Sequence, residues 1–395
     1  MQSGFVVDAV EQLASIERGS ASDGEATAAA LLGDVFRELG LDPVLERERA
    51  VGGFWQACGL AAAAGVASGA IGARSRLSGL LLAGGAAGLI ADDVDNGAHL
   101  LRRLLPKRET TNVLAWAGDP SAGETIVLVA HHDAAHTGLL FHPGLVPLVN
   151  AIAPELYARQ KTSTQTGRLL VAGPALVAFA CAIGNGGIRH LGTFWSAVTL
   201  ALLADVARSE VVPGANDNLS SVAVLLAIGE RLRERPVAGV RVLLLSTGSE
   251  ESFMEGMRGF MRRHRAELDP SSTRFVALEC VGSPNLMVLE GEGMLRMRDY
   301  DQSLRDELQA AADEVGVQLW RGLRLGAGGT DALPALRAGF RTVCLAACTD
   351  LKLPANYHWP TDVPENLSWP TIGHACAVVD ALIRRIAGSG ASGAG

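Results

Sequence analysis

The chain has no surplus of positive charge: 34 Lys and Arg stand against 42 Asp and Glu over 395 residues, a formal net charge of -8. Without a basic stripe there is no electrostatic footprint for a nucleic-acid backbone, and that class of partner is excluded. Closely paired cysteines are absent too. Cys58, Cys181, Cys280, Cys344, Cys348 and Cys376 are scattered, none in a C-x-x-C spacing, and several lie in or beside apolar runs, so they read as reduced core residues. A secretory signal is missing from MQSGFVVDAVEQLASIERGS, which has no basic start and carries Asp8 and Glu11 where the apolar stretch would fall. Val6, Val7, Val10, Leu13 and Ile16 fit an amphipathic first helix instead. No internal repeat is visible. What the chain has in quantity is apolar residues, 48% of the total, enough for a substantial core.

Two segments are almost free of charge. The first, 53–91, is split by Arg74 and Arg76 into FWQACGLAAAAGVASGAIGA and LSGLLLAGGAAGLIA. The second, 139–207, passes a polar patch with Arg159, Lys161 and Arg168, then LLVAGPALVAFACAIGNGGI, then Arg189 and His190, then LGTFWSAVTLALLADVA. A membrane span takes roughly 20 apolar residues, which the stretches beginning at Phe54 and Leu169 reach. Both segments are expected to be inserted helical hairpins, with Gly65 and Gly69, and Gly84 and Gly88, allowing close helix approach and Trp55 and Trp195 near the interfaces. The competing reading is buried helices of a soluble cytoplasmic domain, or a dimer seam. Hairpins leave all remaining chain on one side. The cytosol is the expected side, because Arg102, Arg103, Lys107, Arg108, Arg159, Lys161 and Arg168 outnumber the tip cations Arg74, Arg76 and Arg189.

The remaining chain, 1–388 with a flexible tail at 389–395, alternates strands and helices as one α/β unit. Strands are expected at 113–117, 125–130, 240–246, 275–279, 286–289 and 341–346. Helices are expected in the first thirty-odd residues and at 217–233, 252–264, 302–315, 331–337 and 371–386. Ligand-type residues gather at the ends of these elements. TIVLVAHHDAAHTG carries His131 and Asp133 off the end of a buried strand, where open α/β sheets collect their functional groups. PGANDN sets Asp217 just ahead of an apolar helix, where one carboxylate can bridge two cations; alone it would read as an N-cap. TGSEES pairs Glu250 with Glu251 after another strand, so that one can ligate while the other serves as general base. FVALEC ends a strand on Glu279, an acid costly to bury unpaired, and NYHWPTD places His358 in a loop with Asp362 near enough to orient an imidazole.

The ordered set AHHD, PGANDN, SEES, LECVGS, GGTDALPAL and YHWPTD resembles the co-catalytic di-zinc aminopeptidase family, which includes aminopeptidase Y, glutamate carboxypeptidase II and the glutaminyl cyclases. The match covers most of the chain outside the apolar segments. It implies an α/β/α sandwich around a central mixed, mostly parallel sheet, with the two apolar hairpins inserted. It also implies one zinc on His131 and Glu279, a second on Glu251 and His358, Asp217 bridging, Glu250 as general base and Asp133 orienting His131, with Asp331 at another motif position. The chemistry implied is hydrolysis of peptide or amide bonds, so the expected partners are a small peptide or amide substrate, membrane lipid along the hairpins and a second copy of the chain. An amidase or a glutaminyl-cyclase-like enzyme is the alternative on the same site. A non-catalytic membrane scaffold is the alternative from another class. Three departures from the family pattern stand out: Glu279 where an Asp is usual, Ser221 where a Gly is usual, and a long connection between Asp133 and Asp217 where a short one is usual. The last sends the second hairpin out from beside the site.

Overall fold

The computed structural model describes residues 4–392. Its centre is a seven-stranded sheet of β1 (Pro43–Ala50), β2 (Arg108–Gly118), β3 (Glu124–His131), β4 (Val240–Thr247), β5 (Thr273–Glu279), β6 (Asn285–Val288) and β10 (Arg341–Cys348), in the spatial order β1-β2-β4-β3-β5-β10-β6. The three short strands β7 (Gly291–Glu292), β8 (Arg298–Asp299) and β9 (Arg324–Leu325) make a separate sheet. The inner four strands, β4, β3, β5 and β10, are parallel, as expected of strands that are apolar on both faces. Both margins run antiparallel, at β1 with β2, β2 with β4 and β10 with β6, so the sheet as a whole is evenly mixed rather than mostly parallel.

Period-two alternation sends Ile126, Leu128 and Ala130 of β3 to one face and Val127 and Val129 to the other. The first face is covered by α1 (Gly4–Ala14), α2 (Asp23–Glu38), α9 (Ser220–Glu234), α11 (Gln302–Glu314) and α13 (Trp369–Ser392). The second is covered by α10 (Glu255–His264) and α12 (Ala332–Arg337). The expected strands all form, within a few residues of their expected bounds. The sequence reading misses β1, whose PVLERERA is too charged for a core pattern. Its Glu46 and Glu48 pair with His264 and Arg263 at 2.9 and 2.7 Å, a charged edge that discourages pairing with another chain. Of the expected flexible tail, residues as far as Ser392 continue α13, and 393–395 lie outside the described residues.

The apolar segments form α3 (Phe54–Arg74), α4 (Arg76–Val94), α7 (Thr166–Ile183) and α8 (Gly186–Val206). The four helices form the two expected hairpins, α3 with α4 and α7 with α8, docked against each other. Each helix packs on two neighbours in the ring α3, α4, α7, α8, which makes one four-helix bundle. Small residues set its interior. A side chain at Gly69 would drive into Thr193, one at Gly65 would meet Pro174 and Ser196, and Gly72 and Gly79 bring α3 and α4 together at the turn. Gly84 and Gly88 face open space, so they do not serve the close approach expected of them. α8 turns its polar side inward: Thr193 and Ser196 donate to the carbonyls of Arg189 and Gly192 at 2.8 and 2.9 Å. Trp195 sits midway along α8, away from either end, and donates its indole N–H to Leu169 O at 2.8 Å.

All four helices join the sheet domain at one end. There Cys58, Ala61, Ile90, Val94 and Leu203 cluster with Met294, and Phe54 stacks on Phe253 with ring centroids 5.2 Å apart. At the far end Arg76 donates to Cys181 O and ties the two turns. The outside of the bundle is apolar, with Leu60, Leu77, Leu81, Phe179, Ile183, Leu191 and Phe194 exposed. Three of its helices, Phe54–Arg74, Arg76–Val94 and Thr166–Ile183, are long and apolar enough to cross a membrane. α8 is as long as α3 but carries Arg189, His190 and Asp205, and is not among them.

The rest of the second segment is an arm before α7 rather than part of a hairpin. It holds a 3-10 turn, Leu139–Phe141, then α5 (Leu145–Ile152) and α6 (Pro154–Arg159).

Candidate active site

The parallel strands end together, and their loops build one acidic centre. β3 delivers His131 and Asp133, the turn after β4 delivers Glu250 and Glu251, β5 ends on Glu279, and the loop after β10 carries His358. Asp217 comes from an irregular turn, 215–219, just ahead of α9. All seven sequence-predicted residues converge. The Asp217 carboxylate lies between the two imidazoles, with Oδ1 3.2 Å from His131 Nε2 and Oδ2 3.2 Å from His358 Nε2. Glu251 Oε1 is 3.3 Å from His358 Nε2, Glu279 Oε1 is 3.7 Å and Glu250 Oε2 3.9 Å from His131 Nε2.

These residues fit a metal. Tetrahedral zinc with ligands at about 2.0–2.1 Å sets neighbouring ligand atoms about 3.3 Å apart. His131 Nε2 and Asp217 Oδ1 are buried and have no hydrogen-bond partner, although they face each other, which is what ligand atoms turned toward a shared ion look like. Ligand atoms of His131, Asp217 and Glu251 lie within 4.8 Å of one another, as do those of Asp217, Glu279 and Cys280. The charge balance points the same way. Burial, reinforced by the neighbouring carboxylates Glu251, Asp331 and Glu279, pushes Glu250 well above the ordinary carboxylate range, against the pull of His131. Burial likewise takes Glu279 and Asp331 up to about 7. Against burial, Glu251 and then Asp217 raise the His358 imidazole to about 10. Against burial, the imidazoles that Asp217 and Asp133 face hold these two below the ordinary carboxylate range, while Glu250, Glu279 and Asp331 are pushed up; six acids around two imidazoles leave an excess of negative charge that a divalent ion answers.

Asp133 is the hub of the support. Its carboxylate faces His131 Nδ1 at 3.4 Å and accepts the Glu250 and Glu251 N–H groups at 3.0 and 3.1 Å and the Ser20 hydroxyl at 2.6 Å. One buried acid therefore sets the imidazole and both glutamates. Asp362 does not orient an imidazole as its spacing suggested. It accepts the N–H groups of Asn216 and Asp217 at 2.7 and 3.1 Å and so holds the turn that carries the bridging carboxylate, while His358 Nδ1 has no hydrogen-bond partner. Asp331 accepts the Thr247 hydroxyl at the end of β4.

The N-terminal segment supplies support that the sequence did not reveal. Arg18, fully buried, donates to His132 O at 2.7 Å and Gly214 O at 2.6 Å, joining the β3 end to the Asp217 turn. Glu25 accepts the Ser249 N–H at 3.0 Å and the Thr110 hydroxyl at 2.6 Å, pinning the turn before Glu250. Arg18 lies in no motif, while Glu25 closes a Ser22-x-x-Glu25 helix-start pattern that announces the cap of α2 and not a part in the site. Cys280, expected in the core, is buried against the centre, with Sγ 3.5 Å from Glu279 Oε1. A buried triad ties the site to the bundle: Arg102 bonds Asp93 of α4 at 2.7 Å, Ser252 O at 2.7 Å and Glu255 at 3.0 Å. Arg102 is therefore no membrane-facing cation.

A parallel strand core ending in buried carboxylates and imidazoles at metal-ligand spacing defines a metallohydrolase-type centre. Residues 199–383 match the profile of Peptidase family M28, which bears out the resemblance drawn from the motifs. No curated protein sequence matches the chain. Among solved structures, the fold is that of an Acidobacteriales bacterium glutaminyl cyclase, at 15% identity and a TM-score of 0.57, covering 98% of this chain and 94% of that one. It is also that of BSAP, a zinc aminopeptidase from Bacillus subtilis, at 13% identity and 0.56, covering 97% and 95%. An aminopeptidase from Aneurinibacillus sp. strain AM-1 matches at 12% identity and 0.56, covering 97% and 93%.

Proposed function

We propose that this chain is a two-zinc aminopeptidase-like hydrolase of peptide or amide bonds, anchored to a membrane by its bundle with the sheet domain on the cytoplasmic side. The observation that carries the reading is the Asp217 carboxylate set symmetrically between His131 and His358, each of which has a further acid beside it. His131 and Glu279 would hold one zinc, His358 and Glu251 the other, and Asp217 both. Bound there, zinc supplies Lewis acidity toward a carbonyl and acidifies a water.

The chain's own residues do the rest. Glu250 is kept out of the ligand set by the turn that Asp133 fixes, and its carboxylate faces the centre from 3.9 Å off His131. It takes the proton of the attacking water and returns it to the leaving amine. Burial, which raises its pKa, suits a group that must hold the proton between those two steps. Asp133 keeps the His131 ring and the Glu250–Glu251 backbone in register throughout.

The test is metal content and turnover together. Protein purified without chelators is expected to bring about two zinc ions per chain and to lose part of that content in Glu279→Ala. Glu250→Gln is expected to keep the metal and lose about 100- to 10,000-fold in kcat on aminoacyl amides. Metal-free protein that stays empty after zinc is supplied would replace this reading with that of a scaffold. A glutaminyl-cyclase-like reaction is the second reading, favoured by the shared fold, and release of a cyclised product from N-terminal glutamine peptides would identify it.

A further inference from the structure

The arm at 139–159 has two sides with different neighbours. One side belongs to the active site. Phe141 lies against the His358 ring at 4.3 Å between centroids and edges Tyr357 at 6.0 Å, and His142 edges Trp359 at 5.3 Å. Farther along, the Tyr157 hydroxyl donates to Leu351 O, and Lys352 Nζ donates to Ala158 O and Gln160 O at 2.8 and 2.9 Å, which caps the end of α6. The arm is thus fastened at both ends to the loop that carries His358. Past it, Ser163 Oγ accepts the N–H groups of Gly326 and Ala327 at 2.8 and 3.0 Å, so the insertion frames the centre as far as the strand leading to Asp331.

The other side of the arm is exposed and apolar. Leu145, Leu148, Val149 and Ile152 recur at helical spacing, Leu156 follows on α6, and all are exposed, Ile152 to 75% and Leu156 to 74%. Such a row is costly in water and unusual on a soluble surface. Its position explains it. The arm starts at the foot of α8, where Leu139 N–H donates to Asp205 at 2.6 Å, so the row begins at the level where the apolar jacket of the bundle ends. Leu100 and Leu104, also exposed, leave from the foot of α4. Arg159, Lys161 and Arg168 follow the row as exposed cations suited to anionic headgroups.

We propose that the arm lies on the bilayer surface, continuous with the bundle's lipid-facing jacket, and that the site takes its substrate from that surface: an amide-linked amphiphile whose amide reaches the metal centre past Phe141 while its apolar chain stays along the arm. The substrate half rests on the hydrolase reading above; the seating of the arm does not.

The full chain, reconstituted in vesicles of phosphatidylcholine and phosphatidylglycerol, tests both halves. The six native cysteines are buried, so Ile152→Cys takes an NBD label selectively, with Asp313→Cys on the far layer as control. Quenching by doxyl lipids is expected at 152 and not at 313. In the same vesicles, kcat/KM on leucyl amides is expected to rise by about 10-fold or more from the ethylamide to the dodecylamide, reflecting the chain's affinity for the bilayer and arm. Leu148→Asp with Ile152→Asp is expected to abolish that rise and leave the ethylamide rate unchanged. An unquenched label overturns the proposal whatever the activity, including the case where 152 is shielded by a second copy of the chain. Quenching with no dependence on chain length overturns the substrate half. Quenching with no hydrolysis of either amide confirms the seated arm and rejects the hydrolase reading instead.

Discussion

Asp133 shows how much of a metal centre is settled by groups that need not touch the ion. Its two oxygens serve His131, the Glu250 and Glu251 backbone and Ser20, four attachments from three stretches of chain. Asp133→Ala is expected to lower metal affinity and kcat/KM by about 10- to 100-fold with the fold retained, and titration with a zinc-buffered indicator alongside circular dichroism checks both parts. A second buried acid, Glu292, makes a prediction about stability. It accepts the Tyr300 hydroxyl at 2.8 Å and the Thr330 N–H at 2.7 Å, and burial, outweighing these donors, lifts its pKa from 4.5 to about 8. A carboxyl whose pKa is higher folded than unfolded stabilises the fold while protonated; the contribution is whole below about pH 4.5 and is lost as the pH climbs toward 8. Glu292→Gln is therefore expected to gain on wild type in Tm between pH 5 and pH 8, measured by thermal melts at matched ionic strength.

At the level of elements, the parallel strands and the ligand-type residues at their ends were legible because both follow from short-range rules. A buried strand is an apolar run, and a carboxylate at its end has few cheap roles. The supporting roles of Arg18 and Glu25 were not legible, because their partners at His132, Gly214, Thr110 and Ser249 are brought close only by the finished fold. β1 escaped because its charges pair with α10 across the edge of the sheet, a tertiary fact that looks like loop composition in one dimension. The glycines divide in the same way: spacing alone cannot tell Gly69, against Thr193, from Gly84, with nothing near it. Gly69→Leu is accordingly expected to force α3 from α8 and lower the Tm in detergent, whereas Gly84→Leu leaves it unchanged. Equal melting of the two variants would contradict the packing described.

For the whole molecule, the bundle's apolar jacket and its charged tips, Arg74, Arg76, Arg189 and His190, predict that the protein pellets with membranes and resists carbonate extraction. Monodisperse soluble protein would return the bundle to the buried-helix reading. The order of the chain adds a consequence for biogenesis. All four bundle helices lie between residues 54 and 206, and of the seven residues gathered at the site only His131 and Asp133 are synthesised before that stretch is finished; Asp217, Glu250, Glu251, Glu279 and His358 all follow. A ribosome therefore completes the bundle while the acidic centre is still one imidazole and one carboxylate, His131 and Asp133. The centre gains its last imidazole only at His358, so on the reading proposed above metal capture is a late step that follows completion of the bundle.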